Sequence, residues 1–114
     1  MYLIVTRSFP PELGGMQSLM WGLAREMSKN FMIKVFADYN EGHKDFDEQA
    51  NFSIERVGGI KFLRKIRKSQ LIDEFTKENK VKGIIADHWK SLEPLKSKNK
   101  KYCLIHGKEI NHSK

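Results

Sequence analysis

A chain of 114 residues suits one domain, and with 39% hydrophobic and 11% aromatic residues it holds enough apolar material for a core, which excludes a wholly disordered polypeptide. The formal net charge is +7, from 21 Lys and Arg against 14 Asp and Glu, so the chain is drawn to anionic partners; nucleic acid, anionic lipid and phosphorylated metabolites all qualify on charge alone. The single cysteine, Cys103, excludes an internal disulfide and, in the run Tyr102-Cys103-Leu104-Ile105, reads as a small buried side chain in a reducing compartment.

Residues 2–6 form a short aliphatic and β-branched run that predicts a buried strand. The run is too short to span a bilayer and has no basic region before it, so no signal peptide or transmembrane helix is read here and a cytoplasmic location is expected. A loop over 7–15 follows, stiffened by Pro10 and Pro11 and loosened by Gly14 and Gly15. Met16, Leu19, Met20, Leu23, Ala24 and Met27 then recur at helical spacing, and 32–37 is a second apolar run of strand length, which completes a βαβ unit. The polar, acidic stretch 38–51 reads as a loop, and 52–57 alternates as a half-exposed strand does. After Gly58-Gly59 a helix is predicted to about residue 80, with Leu63, Ile66, Leu71, Ile72 and Phe75 on its buried face. A strand over 81–86 ends in Asp87-His88-Trp89; a short helix around 91–97 and a strand over 102–105 complete the order.

Alternating strands and helices favour an α/β, Rossmann-like parallel sheet with helices on both faces, because each parallel pair needs a right-handed crossover. Ligands bind such sheets beyond the carboxyl ends of the strands. The stretches to inspect are therefore 7–15, 38 onward, 87–89 and 106 onward.

Gly14-Gly15 precedes a strong helix, where exposed amides and the helix dipole favour a phosphate or carboxylate; a tight turn needing positive φ is the competing reading. Neither Gly-x-Gly-x-x-Gly nor a Walker A sequence is present, so classical dinucleotide or P-loop binding is not indicated. No Cys/His cluster has zinc-site spacing, and His43 and His112 lie in polar, unpatterned text.

The wider string Phe9-Pro10-Pro11-Glu12-Leu13-Gly14-Gly15-Met16-Gln17, placed after a first strand, resembles the signature opening of family 4 glycosyltransferases. The likeness continues through the strand ending in Asp87-His88 to Leu104-Ile105-His106-Gly107-Lys108-Glu109, which is similar to that family's His-Gly-x-Glu or His-Gly-x-Asp segment. The resemblance implies a GT-B architecture, two Rossmann-like domains facing across a cleft, with residues 1–114 as an incomplete N-terminal, acceptor-side domain. By that analogy Gly14 and Gly15, with Met16 and Gln17 beside them, meet the donor phosphates or the acceptor. His106 is the catalytic candidate, reaching the transferred sugar; Asp87, His88 and Gly107 join the substrate set, and Glu109 shapes its loop. The implied reaction transfers a sugar, with retention, from a nucleotide-sugar donor to a glycan or lipid-linked acceptor of the cell envelope. No cofactor or metal is implied, since basic side chains and helix dipoles neutralise the leaving diphosphate. The donor-gripping C-terminal domain has no counterpart before Lys114, so this chain alone is expected to be inactive and its last strand to leave an open edge.

The segment Lys61-Phe62-Leu63-Arg64-Lys65-Ile66-Arg67-Lys68 interleaves positive and apolar residues. Two readings stand: Lys61, Arg64, Lys65, Arg67 and Lys68 form a patch for peripheral contact with an anionic membrane, or the helix packs its apolar stripe and leaves its cations in water. For the whole chain, a standalone flavodoxin-like domain that binds a phosphorylated ligand without catalysis is the alternative to the enzyme. Specific nucleic-acid binding is not expected, because the aromatics lie in segments that read as buried.

Overall fold

Ile4 packs into one apolar cluster while its neighbours Leu3 and Val5 pack into another, so strand β1 (Tyr2–Thr6) is buried on both faces. The same alternation divides β2 (Ile33–Asp38), where Val35 and Ala37 face one way and Phe36 the other, and β4 (Gly83–Ala86), where Ile85 opposes Ile84 and Ala86. With β3 (Ser53–Val57) and β5 (Lys101–Cys103) these strands make a sheet of order β3-β2-β1-β4-β5, and every pair in it is parallel. This arrangement belongs to a computed structural model that describes residues 1–104.

Helix α1 (Gly15–Ser28) and the short helix α2 (His43–Glu48) cover one face, and α3 (Lys61–Glu78) with the segment around Leu92 covers the other. The architecture is α/β and Rossmann-like. Strand order reverses at β1: the chain moves outward to β2 and β3, then crosses back to lay β4 on β1's other side. The crevice between β1 and β4, at their carboxyl ends, is where such sheets bind ligands.

Several sequence expectations change. The stretch 38–51 holds a helix, α2, which the chain enters through Gly42 at φ 82°, a conformation glycine adopts readily. Phe46 anchors α2 to the core, its ring 4.9 Å from that of Trp21. The helix expected around 91–97 is a single 3-10 turn, Trp89–Ser91. In α1, Met20 and Ala24 are buried as the spacing predicts, but Leu19 is exposed and Trp21 takes a place against the core. In α3, Ile72 is buried and Leu71 and Phe75 pack beside it, whereas Leu63 and Ile66 face solvent. Cys103 is half-buried rather than enclosed. The end of the expected strand, Ile105, lies outside the described residues.

Candidate functional site

At the carboxyl ends of β1, β2 and β4 a cleft of about 430 Å³ opens against the first turns of α3. Arg7 comes to it from the loop after β1, Asp38 from the end of β2, Lys90 and Ser91 from the turn after β4, and Lys61, Phe62, Lys65 and Lys68 from α3. Five cations thus face one carboxylate. An adjoining recess of about 150 Å³ shares Arg7 and Asp38 and adds Glu12, Tyr39 and Arg64 to the wall.

Asp87, at the end of β4, fixes the geometry of this rim. Its Oδ2 accepts the backbone N–H of Arg7 at 3.0 Å and lies 3.1 Å from Thr6 Oγ1, while its Oδ1 accepts the Ser91 hydroxyl at 2.9 Å. One buried carboxylate therefore ties the exit of β1 to the exit of β4 across the switch point. Both its oxygens are occupied by the chain itself. His88, half-buried beside it, accepts the Lys90 N–H on Nδ1 at 3.2 Å and stacks on Trp89.

The floor is ionic. Lys68, 4% exposed at its side chain, donates to Asp38 Oδ1 at 2.5 Å and to the Thr6 carbonyl at 3.2 Å. Arg64 Nη1 stands 3.7 Å from the other Asp38 oxygen, and Arg67 Nη1 donates to the Gly58 carbonyl at 2.9 Å. Arg64 Nε is buried with no hydrogen-bond partner among the described residues. Of the five cations expected to form a membrane patch, Lys68 is thus a buried structural residue, because an acceptor 30 positions earlier captures it. Lys61 and Lys65 remain at the cleft mouth.

The glycine turn stands at the start of α1. Gly14 adopts a positive φ of 158° with ψ 171° and leaves no room for a side chain beside the Gln17 amide, so the competing reading, a turn needing positive φ, holds at this position; no side chain caps the helix and no acidic residue occupies its first turn. A side chain built on Gly15 would meet nothing within 4 Å, so packing inside the chain does not require glycine there. Gln17 reaches back to donate to Glu12 Oε1 at 2.6 Å and braces the loop; Met16 packs on the core. Gly14 and Gly15 are exposed and do not line the cleft; the loop beginning at Arg7 joins the two features.

That loop is held from the other side by Arg56. Its guanidinium, 4% exposed, makes a two-pronged pair with Asp47 at 2.7 and 3.0 Å, donates to the Pro10 carbonyl at 2.6 Å and to the Asp38 carbonyl at 3.2 Å, and lies over the Phe9 ring. Neither Arg56, Arg7 nor Lys90 stood out in the sequence, since each is a lone cation whose partners are distant in the chain. His106, Gly107 and Glu109 lie outside the described residues. Among the described residues no group of three or more His, Cys, Asp or Glu could hold a metal ion, and no helix is long and apolar enough to cross a membrane.

A Rossmann-like domain with a cationic cleft at its switch point is the class that fold and site define. No family model matches the chain. Over 86 residues it is 29% identical to a GDP-mannose-dependent alpha-(1-6)-phosphatidylinositol monomannoside mannosyltransferase of Mycolicibacterium smegmatis, a match that covers 75% of this chain and 21% of that protein. The chain is a distant homologue of that mannosyltransferase and matches about a fifth of its length.

Proposed function

We propose that the chain is the acceptor-side part of a retaining glycosyltransferase of GT-B architecture, which moves a sugar from a nucleotide-sugar donor to a glycan or lipid-linked acceptor. The observation that carries this reading is the position of the string from Phe9 to Gln17. It leaves β1 directly and delivers two glycines to the start of α1, which has no side-chain cap; the Gln17 amide lies against Gly14, while a Cβ added at Gly15 would meet nothing within 4 Å. The relative's printed name makes GDP-mannose the first donor to test and a phosphatidylinositol-linked glycan the first acceptor.

In this reading the amides opening α1 meet the donor diphosphate or the acceptor, and positive dipole and basic side chains stabilise charge developing on the leaving group without a metal. By the family resemblance His106 is the residue to reach the transferred sugar, and Gly107 and Glu109 join the substrate-binding set. Asp87 acts indirectly, by holding the exits of β1 and β4 together, and His88 borders the acceptor. In this reading turnover takes place where the domain faces a donor-binding half, at the inner face of the membrane. The cationic cleft also favours a second reading, a binding domain for phosphorylated ligands without catalysis.

Isotope-detected transfer from a panel of nucleotide sugars to a membrane lipid extract separates the two. The chain is compared with the product of its complete reading frame. Transfer by that product, lost on His106→Ala, supports the enzyme. Absence of transfer from every donor, with phosphate-ester binding retained, moves the reading to the binding domain.

A further inference from the structure

We infer that six lysines gathered at the amino ends of β4 and β5, with the groove between α3 and residues 94–97, form a docking surface for an acidic segment of a partner protein, one dense in Asp and Glu. The surface lies at the end of the sheet opposite the cleft and does not rest on the sugar-transfer reading.

Topology gathers the charge. Lys77 stands in the last turn of α3, Lys80 and Lys82 lead into β4, and Lys96, Lys98 and Lys100 lead into β5. Because β4 and β5 are parallel neighbours, both approaches arrive at one end of the sheet. Asn99 pins them together, its Nδ2 donating to the Val81 carbonyl at 2.8 Å. Residues 77–101 hold eight lysines against three acids, which places five of the chain's seven net positive charges in this stretch. Of those acids, Asp87 lies beyond the far end of β4 and Glu93 pairs with Lys65 at 3.3 Å, which leaves Glu78.

Elsewhere on the surface lysines find partners: Lys29 pairs with Glu26 at 2.9 Å and Lys34 with Glu55 at 3.1 Å. The six lysines here are exposed, and none has a side-chain hydrogen bond or ion pair among the described residues. Lys101 differs, since its Nζ donates to the Ser97 and Asn99 carbonyls and is engaged by the fold. Like charges gathered without counterions raise the local potential and attract an anionic partner. A groove of about 690 Å³ adjoins them, with Lys77, Lys96 and Gln70 on its walls and Glu74 as its exposed acid. Asp73 lines it too, but its oxygens accept the Lys96 and Ser97 N–H groups at 3.0 to 3.2 Å and are turned to the backbone.

The side chains select the partner. All six cations are lysines, mobile point charges without the guanidinium fork that reads phosphates and base edges in two prongs. Single-stranded nucleic acid also uses successive aromatic faces, whereas the exposed aromatic nearby, Tyr102, lies over Gly83, where an added Cβ would stand 3.0 Å from its ring. A lipid surface uses apolar anchors, and among the described residues no large apolar side chain from 67 to 101 is exposed. An extended acidic polypeptide needs neither. It lays carboxylates beside Lys77 and Lys96 in the groove and carries others across the entries of β4 and β5, leaving the cleft at the carboxyl ends uncovered.

The test is fluorescence anisotropy of the 114-residue chain with a labelled peptide of alternating Asp and Glu, about ten residues long, which when extended matches the 34 Å breadth of the domain. An oligothymidylate of equal charge and phosphatidylglycerol vesicles are the comparison arms. Lys82→Gln/Lys98→Gln should weaken peptide binding about fivefold, and adding Lys80→Gln and Lys100→Gln roughly 25-fold. Arg25→Gln/Lys44→Gln, an equal loss of charge on the helices of the other face, should change it by less than about twofold. Gln70→Trp, which fills the groove without altering charge, should weaken it about fivefold. Every substituted side chain is exposed, and circular dichroism checks that each variant is folded. The inference is overturned if the peptide does not bind, if the Lys82/Lys98 variant binds it like the Arg25/Lys44 control, if Gln70→Trp has no effect, or if the oligothymidylate or the vesicles bind more tightly than the peptide. No sugar donor or acceptor enters this assay, so its failure leaves the transfer experiment standing, and absence of transfer leaves a positive binding result standing.

Discussion

Arg56 Nη2 donates to the carbonyl oxygen of Pro10 over 2.6 Å, joining the far strand of the sheet to the loop that carries the proline and glycine pairs. The same guanidinium holds Asp47 of α2, so one side chain fixes both the loop and the helix beside it. Replacing it with Met strands the Asp47 carboxylate, which is only 17% exposed, with His43 as its remaining partner. Denaturant unfolding of Arg56→Met should show a loss of about 3 kcal/mol. Arg56→Lys should recover less than half of that, because an ammonium cannot reproduce the fork.

Lys68 and Asp38 form a largely buried pair, and removing Lys68 leaves Asp38 with only Arg64, 3.7 Å away, as a cationic partner. Lys68→Met should destabilise by about 3 kcal/mol, while Lys68→Met combined with Asp38→Asn should restore most of the loss. A double-mutant cycle by chemical denaturation checks this. Additive losses would show that the pair contributes no coupling.

The two halves of α3 should respond differently to loss of an aliphatic side chain. Leu63→Ser, on the solvent side, should change stability by no more than about 0.5 kcal/mol, whereas Ile72→Ala, fully buried, should cost about 2–5 kcal/mol. Thermal and denaturant melts of the two variants measure the difference.

Burial first, and the Asp87 carboxylate second, push the Cys103 thiol above its ordinary range. Both disfavour the thiolate, so iodoacetamide alkylation of the folded chain should rise at higher pH than in the denatured chain. The folded state holds the proton more tightly. The thiol's contribution to stability is therefore full below the unfolded thiol's pKa and lost as pH rises through the folded one. Asp87→Asn removes the smaller cause and should return the alkylation curve part of the way.

What the sequence made legible was local. The spacing of Met20 and Ala24 marked α1's core face, the short apolar runs marked the strands, and their alternation with helices marked the parallel sheet. Trp21 was missed because its partners, Phe9, Phe46 and Phe52, come from a loop, another helix and a strand approach. Lys68 looked like one more surface cation because Asp38 lies 30 residues away. The cleft was half visible: Lys61 and Lys65 stood in a basic run, while Arg7 and Lys90 became neighbours only when β4 was laid beside β1.

The central claim, that the glycine turn of this domain faces a phosphorylated substrate of sugar transfer, is tested most directly by Gly15→Asp in the product of the complete reading frame. A Cβ there meets nothing within 4 Å, and the carboxylate sits in a first helical turn that lacks an acidic residue, so the substitution should leave stability unchanged or raise it by about 0.3–1 kcal/mol. Sugar transfer should nevertheless fall about a hundredfold or more, because the new charge occupies and repels the anion's place. Full transfer by a folded Gly15→Asp enzyme would contradict the account.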